Sequence, residues 1–245
     1  MSDFDRFRVY TQARLGLDRR GHSLGTDTQL DFERARAEAR DAVHSVWDVG
    51  ATASKIKALG FRAIPVASEV GANRETYLRL PAAGRALAKP AQALLRKAKR
   101  TDIALILSDG LSARAIEKHA LPFLKQFLKK LPKGMTVTFV LAPFSRVGIL
   151  DPIGHALRAK ISIILIGERP GLSAPDSMGI YLTYGPKPGK SDADRNCISN
   201  VRPPEGLAYA TAADRLANLL REGVRLKLSG VQLKDTEVTP SIESS

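Results

Sequence analysis

Apolar positions along this chain fall into two regimes, and the change comes near residue 100. Beyond it, compact β-prone runs alternate with stretches of helical period. Asp102 to Leu107 (DIALIL), Thr136 to Leu141 (TVTFVL), Ile161 to Ile166 (ISIILI) and Met178 to Thr183 (MGIYLT) read as strands. The run from Ile161 to Leu165 is dense enough to predict burial on both faces, as parallel sheets require. Between the runs, Ile116, Ala120, Leu124, Phe127 and Leu131 mark one side of a helix over about 112–131. Pro122 lies inside it and predicts a kink or break. A short helix is predicted over Gly148 to Ala159. A long final one over about Leu207 to Leu228 buries Ala212, Leu216, Leu219 and Leu220.

Before residue 100 the pattern is less regular. The first thirty residues lack a period and read as an extended arm. Thr28 offers an N-cap to a helix carrying Phe32, Ala35, Ala39, Ala42 and Val43, small residues that predict close helix contact. A second helix, Thr52 to Leu59, stops at Gly60, a left-handed C-cap candidate. Phe61 to Val66 is an edge strand at best, because Pro65 cannot donate to a ladder. Arg74 to Arg100 reads as irregular, then helical, with breaks at Pro81 and Pro90.

Strand–helix–strand–helix–strand is the signature of a doubly wound sheet. The predicted class is α/β: a Rossmann-like, mainly parallel sheet with flanking helices, preceded by a helical N-terminal segment. The expected divisions are 1–100 for an arm and helical region, 101–234 for the sheet domain and 235–245 for a polar tail. Three loops then share the carboxyl rim, where open α/β sheets bind ligands: Ser108 to Ala113, Pro143 to Gly148, and Gly167 to Leu172. The last presents Glu168 and Arg169, stiffened by Pro170 and Gly171. A second polar cluster, D-A-D-R-N-C-I-S-N (Asp192 to Asn200), holds the only cysteine, Cys197.

Charge changes this picture little. A net charge of +13 raises the question of a nucleic-acid-binding module. The basic residues are scattered along polar helix faces, however, and fit solvated surface or a subunit docking on an acidic partner better. No run approaches a membrane span, and the polar N-terminus is no signal peptide, so the expected setting is intracellular.

Several chemistries lack their motif. The turn S-D-G-L-S-A has a single glycine where a dinucleotide fold needs G-x-G-x-x-G, which weakens a stand-alone oxidoreductase or transferase reading. A P-loop and a G-x-S-x-G elbow are also missing. The histidines His22, His44, His119 and His155 are dispersed, and Asp151 with His155 reads as a helix-surface pair. Cys197 is more readily a small packed residue than a nucleophile. What remains is a broad rim with no acid–base pair, which fits a cofactor cradle. No catalytic or metal-ligating residue is assigned.

Several of these stretches together resemble the small subunit of ethanolamine ammonia-lyase over nearly the whole length. They are T-Q-A-R-L-G (Thr11 to Gly16), T-Y-L-R-L-P (Thr76 to Pro81), S-D-G-L-S-A, R-V-G-I-L-D-P-I-G (Arg146 to Gly154), I-G-E-R-P-G-L (Ile166 to Leu172) and D-R-N-C-I-S-N (Asp194 to Asn200). The resemblance implies an adenosylcobalamin enzyme converting ethanolamine to acetaldehyde and ammonia by a radical route. A large barrel subunit holds the substrate, and the small subunit closes over the cobalamin. The family's cobalamin contacts fall on Val147, Glu168 and Cys197. No D-x-H-x-x-G is present, so the cofactor is expected to keep its own benzimidazole below the cobalt. Partners beyond the large subunit, nucleic acid and membrane included, are not expected. Some family members carry a longer N-terminal extension linked to microcompartment packaging. Here the first motif starts at Thr11, so the cytoplasm is the expected location and a microcompartment the alternative.

Overall fold

The computed structural model describes residues 4–7, 10–11, 13–17 and 19–234. Six strands form its main sheet: β1 (Ala63–Pro65), β2 (Ile103–Ser108), β3 (Val137–Leu141), β4 (Ile161–Gly167), β5 (Met178–Tyr184) and β6 (Asn196–Val201). Their spatial order is β1-β3-β2-β4-β5-β6. The first three pairings are parallel and the last two antiparallel. Thus β3 and β4 flank β2 on opposite sides, and the chain reverses its direction of winding between β2 and β4. That reversal opens a crevice at the carboxyl ends of the two strands.

The helices are α1 (Thr26–His44), α2 (Val49–Ala58), α3 (Arg74–Arg79), α4 (Lys89–Arg96), α5 (113–127), α6 (Leu150–Ala156) and α7 (Tyr209–Leu226). Because side chains alternate along a strand, the sheet feeds two cores. Leu105, Leu107, Phe139, Ile163, Leu165, Ile180 and Ile198 face α5 and α7, with Phe123, Phe127, Leu216 and Leu220 as their cover. Ala104, Ile106, Val140, Ile164 and Ile166 face α4 and α6, covered by Leu95, Leu150 and Ile153. The second cover stops at β4. Beyond it, on that same face, β5 and β6 present half-buried Tyr181 and exposed Cys197 and Ser199. The sheet has helices on both faces over its parallel half and on one face over its antiparallel half.

Four details correct or extend the sequence reading. The strand over 178–184 runs antiparallel, because the connection 168–177 holds no helix and is shorter than the dozen or so residues of a parallel crossover. The polar cluster after Asp192 contains a full strand, β6. Thr28 is not a cap: α1 starts two residues earlier behind Gly25, and of its apolar residues only Ala35 and Ala42 are buried. Pro122 does not break its helix, since a π turn at Ile116–Ala120 absorbs the missing hydrogen bond upstream. The edge strand with Pro65, the left-handed Gly60 and the long last helix are present. The polar tail expected over 235–245 lies outside the described residues. Among the described residues, no helix is long and apolar enough to cross a membrane.

Candidate functional site

The three predicted loops meet at the carboxyl rim. After β2 the chain turns at Gly110 (φ 51°), and an added Cβ there would lie 2.4 Å from the Gly167 carbonyl oxygen. That close approach lets the Leu111 N–H donate to Gly167 O at 3.0 Å, tying the β2 and β4 loops together. The Asp109 carboxylate accepts from Phe144 N–H at 2.7 Å, which ties in the β3 loop. Asp109 is buried, and desolvation pushes its carboxyl up. Arg74, arriving from α3 at 2.5 Å, opposes that shift and keeps the acid paired.

Arg74 also stacks on Tyr77 and Phe144, at 5.2 and 4.8 Å from the ring centroids, and Arg146 lies over the same Tyr77 ring at 4.1 Å. The Tyr77 hydroxyl, pushed up to about 12 by burial, donates to Ser145 O at 3.2 Å. Cation–π contacts of this kind are worth about 0.5–2 kcal/mol each. Their joint effect is to hold the 143–148 loop, and with it Val147, against α3.

Glu168 leaves the end of β4 and folds back over Gly179. Any side chain at 179 would meet it, since a Cβ would sit 2.9 Å from Glu168 Oε1. Opposite, β6 carries a bulge where the register slips between Met178 and Ile180, and Asn200 takes a left-handed φ of 57°. The bulge turns two donors onto one carboxylate. Ser199 Oγ donates to Oε1 at 2.5 Å and Asn200 N–H to Oε2 at 3.1 Å. The head group is thereby fixed at the border between the covered and open halves of the sheet.

Val147 and Glu168 line one recess of about 380 Å3 with Tyr77, Leu111, Arg146, Arg169 and Tyr181. Cys197 does not line it. It lies one strand outward, paired in register with Tyr181. Desolvation pushes the Cys197 thiol up, the neighbouring Tyr181 hydroxyl pulls it down, and the nearby Glu168 charge pushes it up again. The net direction is upward, away from a nucleophilic thiolate. A second recess, of about 510 Å3, lies on the other side of the Val147–Ile149 turn, where Gly148, Arg85 and Lys190 surround a buried Asp151–Arg195 pair at 2.5 Å. Asp151 therefore turns inward to Arg195 while His155 stays exposed, and the two do not form the helix-surface pair that their spacing predicted. Among the described residues, no group of three or more His, Cys, Asp or Glu side chains gathers at metal-binding distance.

Sequence reasoning passed over Tyr77, Arg74, Tyr181, Ser199 and Asn200. One signal for the last pair was present: Ile198 and Val201 are both core residues but stand three apart, and a regular strand would space them by two. An odd spacing in a strand is what a bulge leaves in the sequence.

The comparisons with known proteins bear on this geometry. Residues 1–234 match the family described as "Ethanolamine ammonia-lyase light chain (EutC)". The chain belongs to the ethanolamine ammonia-lyase light-chain family. It is 46% identical over 244 residues to the ethanolamine ammonia-lyase small subunit of Pseudomonas putida strain GB-1, covering 97% of this chain and 89% of that one. It is also 47% identical over 235 residues to the small subunit of Pseudomonas aeruginosa strain LESB58, covering 93% and 85%. By this membership the chain is a subunit of a lyase, and a small subunit implies a large one. The motif-based resemblance and the whole-chain matches agree.

Proposed function

We propose that this chain is the cofactor-holding small subunit of an adenosylcobalamin-dependent ethanolamine ammonia-lyase, working in the cytoplasm with a large subunit that holds ethanolamine. The observation that carries the reading is the helix-free face over the antiparallel half of the sheet, with Glu168 fixed at its edge. A corrin is a broad, nearly flat ring fringed by carboxamide arms. It needs an open surface bordered by hydrogen-bond acceptors, where a dinucleotide needs a glycine-lined turn.

The residues present fit such a group. A carboxylate offers about four lone-pair sites, and the two donors from β6 leave Glu168 free to accept amide N–H bonds from the ring's arms. Val147 presents an apolar contact at the recess wall. Tyr181 in the recess and Cys197 one strand outward offer a polarisable surface, and their raised proton affinities keep both neutral beneath an uncharged ligand. When bound, adenosylcobalamin supplies the cobalt–carbon bond whose homolysis starts the radical deamination. This chain's part is to bind, orient and exclude water. The sheet around the site is Rossmann-like in its winding about β2, and the region before residue 100, α1 above all, grips the large subunit.

Co-expression with a large subunit, followed by assay of acetaldehyde release against adenosylcobalamin concentration, tests the reading. Glu168→Ala is expected to raise the apparent cofactor requirement about tenfold, the size of one charge-assisted hydrogen bond, with a smaller effect on saturated turnover. Turnover abolished at saturating cofactor with an unchanged requirement would overturn it.

A further inference from the structure

Behind the rim, on the face away from the recess, Asp176 is held by three cations or potential cations from two places in the chain. Lys118 Nζ stands 2.6 Å from its Oδ2, His119 Nε2 3.6 Å from the same oxygen, and Arg202 Nε 3.9 Å from Oδ1. His119 is fully buried in the π turn of α5, and its Nδ1 lies 2.8 Å from the hydroxyl of Tyr209, the first residue of α7. These contacts serve no part of the cofactor surface directly.

Their position in the chain gives them a role. Asp176 precedes Ser177, whose carbonyl accepts the Glu168 N–H at 3.0 Å and closes the base of the 168–177 loop. Arg202 follows the bulge that supplies Ser199 and Asn200, and its segment is tied back through Leu207 N–H to Asn200 O at 2.7 Å. Holding Asp176 against Arg202 therefore fixes the spacing between the strand end that carries Glu168 and the bulge that grips it. Lys118 and His119 in turn fix both to α5. We infer that Asp176 is a positioning residue for the cofactor surface: it sets the Glu168 carboxylate by joining, from behind, the loop that bears it to the bulge that binds it.

This inference rests on the corrinoid reading of the site, and its test separates the two. In the assembled enzyme, the cofactor requirement and saturated turnover are measured for Asp176→Asn, for Glu168→Ala and for the pair. Asp176→Asn keeps the shape of the side chain and removes its charge. A residue acting through Glu168 raises the requirement by up to about tenfold when changed alone and adds nothing once Glu168 is gone, because coupled sites are non-additive. Asp176→Glu restores part of the effect, whereas Asp176→Asn leaves saturated turnover within about twofold. Should Asp176→Asn fail to accumulate, Lys118→Gln, which removes an exposed partner of the same carboxylate, enters the same cycle with a smaller expected shift. If Glu168→Ala raises the cofactor requirement but Asp176→Asn does not, or if the two effects simply multiply, the positioning role is wrong and the corrinoid site stands. If Glu168→Ala leaves the requirement unchanged, the corrinoid reading falls and the inference falls with it.

Discussion

Two glycines at the rim do opposite work, and the difference lies in what an added methyl would strike. At Gly110 the obstacles are the Gly167 backbone carbonyl at 2.4 Å and the root of the buried Ile166 side chain, Cγ1, at 2.5 Å, with φ already in the left-handed region. Neither can move without parting β2 from β4. At Gly179 the obstacle is the Glu168 head group at 2.9 Å, the far end of a side chain, with Tyr181 Cε2 at 3.2 Å. Gly110→Ala is therefore expected to cost about 2–3 kcal/mol of stability, as overpacking at a strained turn does. Gly179→Ala should cost less than about 1 kcal/mol and instead displace Glu168 from Ser199 and Asn200, raising the cofactor requirement of the assembled enzyme. Urea melts of the isolated variants check the first. The cofactor titration of the complex checks the second, and a large stability loss in Gly179→Ala with normal cofactor demand would contradict this division.

At the scale of elements, one half-buried carboxylate joins three strand beginnings. Asp102 precedes β2. Its Oδ2 accepts from Thr136 N–H and Oγ1 at 2.9 and 2.8 Å just before β3, and its Oδ1 pairs with Lys160 at 2.8 Å just before β4. The hydrogen bond from Lys160, then those from Thr136, hold its pKa down to about 2 against an ordinary 3.8. A carboxyl depressed on folding stabilises above its unfolded pKa and loses that contribution as pH falls through the folded one. Stability should accordingly drop between about pH 4 and 2, and Asp102→Asn should flatten that limb. At neutral pH it should cost no more than about 1 kcal/mol, because the Lys160 partner is half exposed and screened by water. An acid limb in Asp102→Asn as steep as in the parent would refute the assignment.

The same element scale shows why the sequence was readable in some places and silent in others. β2 and β4 are buried on both faces and β3 over its last three residues, so their apolar runs are nearly continuous and their loops had to share a rim; Val147 and Glu168 could be placed there from pattern alone. β6 was not readable. One of its faces is open, its register is broken at Asn200, and only Ile198 and Val201 report its buried side. The ion pair of Asp151 with Arg195 joins residues forty-four apart, and no local spacing encodes such a contact. Arg74 and Tyr77 were hidden for a related reason: their partners are the loops of β2 and β3, which periodicity in α3 cannot name.

At the scale of the molecule, α1 is the element whose exposure is hardest to reconcile with a chain that works alone. It runs for nineteen residues yet buries only Ala35 and Ala42, leaving Leu30 63% exposed, and Val46 just beyond it is 83% exposed. Helices gain most of their stability from a packed face, so such a helix is made to be covered. Its arginines bring little net charge to that contact, because Arg34 pairs with Asp31, Arg36 with Glu33 and Arg40 with Asp41. α1 itself holds five carboxylates against three arginines, so the excess of +13 is carried by the rest of the chain. The proposed docking of α1 on the large subunit divides the expected roles in two: long-range charge to speed encounter, and the apolar positions of and beside α1 to hold the complex together. Screening by salt acts on the first and leaves the second nearly untouched. Raising salt from about 0.05 to 0.5 M should then slow association at least several-fold with little change in dissociation. Leu30→Asp with Val46→Asp should do the reverse, speeding dissociation about tenfold or more at unchanged association and an unchanged thermal midpoint of the free chain. Surface-immobilised large subunit and paired on- and off-rate measurements distinguish the cases. Dissociation unaffected by the double substitution would place the grip elsewhere than on α1, and dissociation that salt alone accelerates would make charge the force that holds.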